Sequence, residues 1–248
     1  MNNRATTILA LSLLLLSPIA AQARTKDSGL TPYMQNFEGL NQANASALSA
    51  DGWLVYGNVF SPDHSTYYYG YGSYPAPNNS GGFCGIDFVT GAPAEGAQDM
   101  VVYSDYNNSG AMSAGDQVEA NVYQQQTIGA ADVGHTWEFR YDAKLGNLVA
   151  PSTAAAFIKT LDPNNGYATV VFLTNNSTTL PGDTWTQGLA IDLTITPALV
   201  GQLLQFGFMA TASNYVGSGV FYDNISFQNL SATPTHSESW GQLKSIYR

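Results

Sequence analysis

The stretch Gly217-Ser218-Gly219-Val220-Phe221-Tyr222-Asp223-Asn224-Ile225-Ser226-Phe227 is the strongest indication of the fold in this chain. It predicts a β-strand, because small residues lead into alternating apolar and polar side chains. With a period of two, the odd-numbered residues from Phe221 to Phe227, Asp223 among them, are expected on one face and the even-numbered residues on the other. A carboxylate among apolar side chains costs free energy unless a partner neutralises it. Asp223 therefore predicts a bound cation more readily than it predicts catalysis.

Working outward from this stretch, short strand-like runs recur between clusters of Gly, Asn, Ser, Asp and Pro. The predicted strands lie near residues 33–38, 53–60, 83–89, 99–104, 117–124, 135–145, 153–160, 167–173, 184–194, 203–211 and 218–228. Helical turns are expected only at 129–133 and 197–200. This spacing predicts an all-β chain in which residues 31–230 form a single antiparallel β-sandwich domain.

The two ends of the chain differ from this body. Residues 1–23 combine a basic start at Arg4, an apolar run and the sequence Ala21-Gln22-Ala23, which predicts a Sec-type signal peptide. No stretch is long and apolar enough to predict a transmembrane segment. We expect a secreted, periplasmic or cell-surface protein, with residues 24–30 as a lead and residues 231–248 as a spacer and short tail that could form a helical turn.

The charge balance of the chain indicates which classes of ligand it suits. Eight Lys and Arg stand against 18 Asp and Glu, a formal net charge of −10. This composition argues against nucleic acids and anionic membranes, and it suits a neutral carbohydrate polymer or cell-surface glycan, and calcium. The single cysteine, Cys84, stands in the apolar sequence Phe83-Cys84-Gly85-Ile86 and is expected to be a buried structural thiol.

Both ends of the predicted domain resemble one known class. Asn36-Phe37-Glu38-Gly39, with Gly52-Trp53 after it, and the final strand 220–227 are similar to the ends of calcium-containing jelly-roll carbohydrate-binding modules, which are galactose-binding-like β-sandwiches. The resemblance implies a jelly-roll fold, carbohydrate binding and a structural Ca²⁺ held by Glu38, Asp223 and backbone carbonyls.

The same pair can be argued from chemistry. Calcium takes six to eight oxygen ligands, and two carboxylates with loop carbonyls are a reasonable set if the first and last strands are neighbours. The alternative is that Glu38 caps a turn and Asp223 makes ordinary hydrogen bonds to loop amides.

A weaker second metal site is predicted between residues 105 and 116. Oxygen-bearing side chains occupy positions 1, 3, 5, 9 and 12 of a calcium-loop template, and glycine occupies position 6. The residues concerned are Asp105, Asn107, Ser109, Ser113 and Asp116, with Gly110 at position 6. Because the flanking sequences predict strands and not helices, a metal-free hairpin loop is the favoured alternative.

The segment 61–79 has the most unusual composition, with tyrosines interrupted by glycines. It is expected to be a binding loop, because flat rings with polar rims stack on the CH faces of sugars. The candidate ligand-binding residues are Tyr67, Tyr69, Tyr71 and Tyr74, with Asp63 and Asn78 as hydrogen-bonding partners. The alternative is a strand of half-buried tyrosines in which the glycines are bends.

Catalysis has little support in the sequence. No H-E-x-x-H or G-x-S-x-G motif occurs, and the acidic pair Glu138 and Asp142 around Arg140 is interpreted as a solvated strand face. We therefore expect non-catalytic polysaccharide binding with a structural calcium. A structural or adhesive surface or matrix protein is the alternative, and a polysaccharide hydrolase or lyase is a third, less supported one.

Overall fold

The computed structural model describes residues 29–79, 81–88, 96–213 and 216–230. The predicted signal peptide and most of the predicted lead and tail lie outside these residues. The described strands are β1 (Tyr33–Gln35), β2 (Leu54–Phe60), β3 (Tyr67–Pro75), β4 (Cys84–Asp87), β5 (Asp99–Val102), β6 (Gln117–Thr127), β7 (Thr136–Leu145), β8 (Ala154–Asp162), β9 (Ala168–Asn176), β10 (Thr186–Thr194), β11 (Leu203–Ser213) and β12 (Val220–Asn229). Two short helices, α1 (Ala47–Ala50) and α2 (Ser109–Ala114), and two 3₁₀ turns, Ala130–Asp132 and Pro197–Leu199, connect them.

The strands form two antiparallel sheets of six. Sheet A has the order β10-β7-β12-β5-β4, and β1 pairs with β12 beyond the end of β5. Sheet B has the order β3-β2-β6-β11-β8-β9. The predicted β-sandwich is confirmed, and so is the pairing of the first strand with the last. No described helix is long and apolar enough to cross a membrane.

Aromatic rings from the two sheets fill the core. The ring of Phe208 in β11 stacks on Tyr222 in β12 with centroids 3.6 Å apart, and Phe206 stacks on Phe227 at 4.3 Å. Phe139 in β7 contacts both β11 rings, at 5.3 and 5.4 Å. Because these rings are buried and come from facing sheets, they fix how the sheets pack.

A β-bulge corrects the predicted faces of the last strand. Val220 and Tyr222 lie in the core, as do Ile225 and Phe227, so the buried side changes from even-numbered to odd-numbered residues. The change occurs where the register with β7 shifts between Asp223 and Ser226, and Asn224 there has φ of 50°. The expectation that Phe221 and Asp223 share a face with Ile225 was therefore wrong.

Two other expectations of the fold also change, and the rest agree with the structure. Residues 67–75 are an edge strand, β3, and not a loop. Helices α1 and α2 were not predicted, whereas both 3₁₀ turns were. The 11 predicted strands correspond to the other 11 described strands, and Cys84 is fully buried, as expected.

The inter-sheet rings give a direct test of this packing. We expect Phe208→Ala to lower the free energy of unfolding by about 3–5 kcal/mol, because it leaves a cavity between Tyr222 and Phe139. The control Val149→Ala, at an exposed position, should change it by less than about 0.5 kcal/mol. Urea unfolding followed by tryptophan fluorescence measures both values, and equal effects of the two substitutions would contradict the packing.

Candidate functional site

The outer face of sheet B carries polar and aromatic side chains across its whole width. Alternate residues of each strand point away from the core, and antiparallel register places them in rows. One row runs from Tyr56 in β2 to Asn121 in β6 and Met209 in β11. The row after it contains Tyr123, and the following row runs through Gln125, Gln205, Lys159 and Phe172, in β6, β11, β8 and β9.

Residues of these rows, among them Tyr56, Gln125, Gln205 and Lys159, line a groove of about 680 Å³. Aromatic rings from four separate segments line it, namely Tyr56, Tyr67, Tyr123 and Tyr167. Tyr67 and Tyr167 are more than half exposed, whereas Tyr123 is buried in the floor. Both the size and the mixture of rings with a few polar groups are typical of small-molecule and oligomer sites.

Hydrogen bonds fix the polar groups of the groove. Gln205 Nε2 donates to Gln125 Oε1 at 2.8 Å, and the hydroxyls of Ser73 and Tyr123 are 2.8 Å apart. Gln205 Oε1 is buried and has no hydrogen-bond partner among the described residues. Buried carbonyl oxygens in proteins almost always accept a hydrogen bond, so this atom is an unsatisfied acceptor in the floor beneath the groove.

Glycines in β2 and β3 make room for tyrosines of the neighbouring strand. A Cβ at Gly70 would overlap the ring of Tyr56 on the outer face, and a Cβ at Gly57 would overlap the ring of Tyr71 on the inner face. The alternation of Tyr and Gly in β3 is therefore a packing requirement between β2 and β3. It also supports the alternative interpretation of the segment as a strand with half-buried tyrosines.

The structure separates the four tyrosines predicted from the sequence. Tyr67 lines the groove, whereas Tyr69 and Tyr71 pack against each other at 6.2 Å beside the segment after β5. The Tyr71 hydroxyl donates to Asp105 at 2.7 Å, and burial raises its pKa. Tyr74 is exposed and is not among the residues that line the groove.

Asp63 and Asn78 are both engaged within the chain. Asp63 accepts hydrogen bonds from Ser61 and Ser65, which lower its pKa to about 2. The Asn78 side chain donates to two carbonyls near α1 and accepts from Ile86 N at 2.8 Å. Their contacts in this structure stabilise loops.

The outer face of sheet A carries a row of buried carboxylates at the bulge. Asp223 is the register partner of Asp142, and the charges of Asp99, Asp142 and Glu38 all act on it. Asp223 is 1% exposed, and burial together with these like charges raises its pKa to about 7. Glu38 and Asp223, the pair predicted for calcium, are thus brought into one acidic neighbourhood.

Backbone groups surround this neighbourhood. Glu38 Oε1 accepts from the amides of Ala97 and Gln98 at 2.7 and 2.6 Å. The Gln98 side chain donates through Nε2 to the carbonyls of Phe37, Glu38 and Leu40 at 3.0 to 3.3 Å, while its buried Oε1 has no partner among the described residues.

A cation could bind here only with a mixed set of ligands. Among the described residues no three His, Cys, Asp or Glu side chains converge closely enough to hold a metal ion by themselves. Glu38 and Asp223 with these carbonyls, and with the oxygen of Gln98, offer the all-oxygen surroundings that suit calcium.

The segment predicted as a second metal site contains a helix. Residues 109–114 form α2, which Asn108 caps by accepting from Ala111 N, and the flanks are strands β5 and β6, as expected. Asp105 accepts from Tyr71 and from Asn107 N, so its two oxygens already have partners. Ser109 begins the helix, Ser113 lies within it and Asp116 follows its end, so the five predicted ligands are distributed along and around a short capped helix.

Groups suited to catalysis are not assembled in the described residues. Glu138 and Asp142 are buried, so their interpretation as a solvated face was wrong; Glu138 forms an ion pair with Arg140 at 2.9 Å. The ring of His64 packs on Phe60. His135 Nδ1 lies 2.6 Å from the side-chain Nδ2 of Asn229. Burial raises the pKa of the Cys84 thiol, which makes it a poor nucleophile.

Comparison with known proteins gives structural likenesses only. No family model and no curated protein matches the chain. A carbohydrate-binding module of the β-sandwich superfamily shares 13% identity at a TM-score of 0.44, over 78% of this chain and 60% of that one. The CBM22-1 and GH10 modules of a Clostridium thermocellum xylanase, complexed with xylohexaose, share 11% identity at a TM-score of 0.42, over 80% and 28% of the two chains.

A further likeness is to an enzyme. A cyclase from Fischerella sp. TAU shares 13% identity at a TM-score of 0.40, over 82% of this chain and all of that one. The matches therefore include carbohydrate-binding modules, the class that the end strands resemble, but this chain spans only 60% and 28% of the first two matched chains. Because the TM-scores of these matches are below 0.5, the function has to be argued from the groove itself.

The groove residues Tyr123, Tyr167, Gln205 and Lys159 were not predicted from the sequence. Each looks like an ordinary outward-facing residue in its own strand or turn. The unusual pattern Tyr123-Gln124-Gln125-Gln126 was the one local signal, because three consecutive amides are rare in a strand interior.

The raised pKa of Asp223 predicts how stability depends on pH. Since its folded pKa of about 7 exceeds the ordinary value of 3.8, folding favours the protonated acid. In chelator, this contribution is fully present below about pH 4 and is lost as the pH rises through 7. We expect Asp223→Asn to unfold at a higher urea concentration than wild type at pH 8 and to lose this advantage at pH 4.

The matched control is Asp183→Asn, which changes an exposed carboxylate. Its urea midpoint should differ from wild type by a constant amount across the same pH range. A difference between wild type and Asp223→Asn that does not change with pH would contradict a raised pKa at Asp223.

Proposed function

We propose that this chain is a secreted, non-catalytic polysaccharide-binding module whose ligand lies in the groove of sheet B, and that a structural calcium stabilises its opposite face. The observation that carries the proposal is the groove, which four tyrosine rings line together with the amide side chains of Asn58, Gln125 and Gln205. Sugar rings present apolar CH faces and hydroxyl edges together, which is the combination that such a lining binds.

The shape of the groove favours a chain over a small molecule. Its lining comes from β2, β3, β6, β8 and β11 and from the turn before β9, so it crosses most of the sheet. Exposed rings stand on both sides, Tyr67 at the β3 side and Tyr167 at the β9 side, with the polar floor between them. Neighbouring sugars of one polymer would contact both rings and donate hydroxyls to the floor.

Binding without chemistry is the simplest use of this surface. The acidic side chain nearest to the floor, Glu119, accepts hydrogen bonds from Asn58 and Asn121 at 2.8 and 2.9 Å. A pair of carboxylates across the groove, which glycoside hydrolysis requires, is not among its lining residues. Export follows from the predicted signal peptide at residues 1–23.

The binding prediction compares rings inside and outside the groove. We expect Tyr67→Ala and Tyr167→Ala each to weaken binding about 10-fold, because each removes one stacking surface. Tyr69→Ala is the matched control, since Tyr69 lies in the same strand as Tyr67 but packs on Tyr71. Affinity electrophoresis through a panel of soluble polysaccharides, followed by calorimetry on the polymer retained best, measures the effect.

Two results would count against the groove. If Tyr69→Ala weakened binding as much as Tyr67→Ala, the ligand would lie along the exposed tyrosines of β3. If wild type bound no polymer of a panel that includes xylan, mixed-linkage glucan, mannan and galactan, the proposed function would be wrong.

The proposed calcium is supported by the buried Asp223, whose neighbouring charges are Asp99, Asp142 and Glu38. A divalent cation would neutralise this excess of negative charge, and Glu38, Asp223 and nearby carbonyls would hold it. Its contribution would be structural, joining the segment after β1 to the bulge of β12.

We expect chelator to lower the melting temperature of wild type, and added calcium to restore it. Free calcium at 100 times its Kd should stabilise the fold by about 2.7 kcal/mol. Glu38→Gln and Asp223→Asn should remove the response to calcium, whereas Asp105→Asn should retain it. A melting temperature that is the same with calcium and with chelator would contradict the site, and loss of the response in Asp105→Asn alone would move it to residues 105–116.

A further inference from the structure

Lys159 is a cation in the floor of the groove. It lies on β8, with Gln205 as its register partner on one side and Phe172 on the other. In the described part of the chain, only Arg140, Lys144 and Lys159 are basic, against 15 Asp and Glu. Of these three, Lys159 is the one that lines the groove.

The ammonium group of Lys159 has no counter-ion within the described structure. No described carboxylate lies within the 4.0 Å of an ion pair, and no described group hydrogen-bonds to it. Its contact is with the ring of Phe157, whose centroid is 5.0 Å from Nζ. The groups that line the groove with it are tyrosines and amides, and Glu119 is the charge that acts on it from β6.

An unpaired ammonium in this position is costly for the fold. Burial lowers the pKa of Lys159, which means that the folded surroundings disfavour its charge, while Glu119 opposes this shift. A cation–π contact at such a site stabilises the fold by only about 0.5–1 kcal/mol. A methionine would fill the same space without burying a charge. The charge therefore serves something other than folding, and its position points into the proposed ligand site.

We propose that Lys159 pairs with a carboxylate on the bound polysaccharide, so that the ligand is a neutral backbone carrying sparse uronate or similar acidic side groups. This rests on the proposed function of the groove, and it replaces the expectation of a wholly neutral polymer. A single cation in a protein of net charge −10 suits isolated carboxylates, because a polymer charged at every unit would be repelled.

Neighbouring groups fit the same ligand unit. The amide side chains of Gln125 and Gln205 line the groove in the same row as Lys159, and the Ser73–Tyr123 hydroxyl pair can donate or accept hydrogen bonds. A uronate presents a carboxylate and hydroxyls on one ring, so it offers both kinds of group to one row of the floor.

The experiment uses one polymer in two forms. Glucuronoxylan is compared with the same preparation after chemical reduction of its carboxylates to alcohols, which keeps the backbone and removes the charge. Calorimetry at low salt should show wild type binding the carboxylated form about 10-fold more tightly, a difference that corresponds to about 1.4 kcal/mol. The preference should shrink as sodium chloride is raised to 0.5 M.

Variants of Lys159 separate charge from shape. Lys159→Met should lose about 10-fold in affinity for the carboxylated form and stay within about twofold for the reduced form, while Lys159→Arg should keep most of the preference. The control Lys144→Met, in sheet A, should behave as wild type. Because the unpaired charge is costly, Lys159→Met should melt no lower than wild type.

Each outcome bears on a separate claim. Equal binding of the two polymer forms by wild type, or an equal loss for both forms in Lys159→Met, would overturn the role of Lys159 and leave polysaccharide binding intact. A lower melting temperature of Lys159→Met with unchanged binding would also overturn it. Failure of wild type to bind either form or any neutral polymer of the panel would instead defeat the proposed function.

Discussion

The bulge at Asp223 and Asn224 is the constraint on which the arrangement of sheet A depends. Without an extra residue at this point, β12 could not place Tyr222 and Phe227 in the same core, because they differ by an odd number of positions. Both rings stack on β11 of the opposite sheet, so the bulge also sets how the sheets meet. The same distortion turns Asp223 to the outer face beside Asp142, which explains how one strand contributes both to the core and to an acidic site.

The two outer faces of the sandwich then differ in kind. On sheet A, carboxylates are buried at the junction of the first and last strands, where a cation would hold the ends of the domain together. On sheet B, polar groups line an open groove bounded by exposed rings. The proposed cation site and the proposed ligand groove are in this way separated by the thickness of the core, so substitutions can test each face separately.

The sequence predicted the strands well because each strand has a local signature of alternation and turn residues, and most of this signature survives in the structure. It failed at β3, where Tyr and Gly suggested a loop, since the requirement that Gly70 make room for Tyr56 belongs to a neighbouring strand. It also failed at the bulge, since a period of two cannot reveal an inserted residue. The floor of the groove could not be predicted, because Gln205 and Lys159 become neighbours only through the register of β11 and β8.

Burial shifts the pKa values of Asp223 and Lys159 in opposite directions, because one side chain is an acid and the other an amine. Each is an ionisable group that burial disfavours in its charged form, and burial moves their pKa values in opposite directions, upward for the acid and downward for the amine. Asp223 is surrounded by like charges, so its most favourable partner is a small cation from solution. Lys159 is surrounded by neutral rings and amides, so its most favourable partner is an anion that arrives with hydroxyl groups attached. Neither charge stabilises the fold by itself, and under the functions proposed above each would be neutralised by a different ligand on its own face of the sandwich.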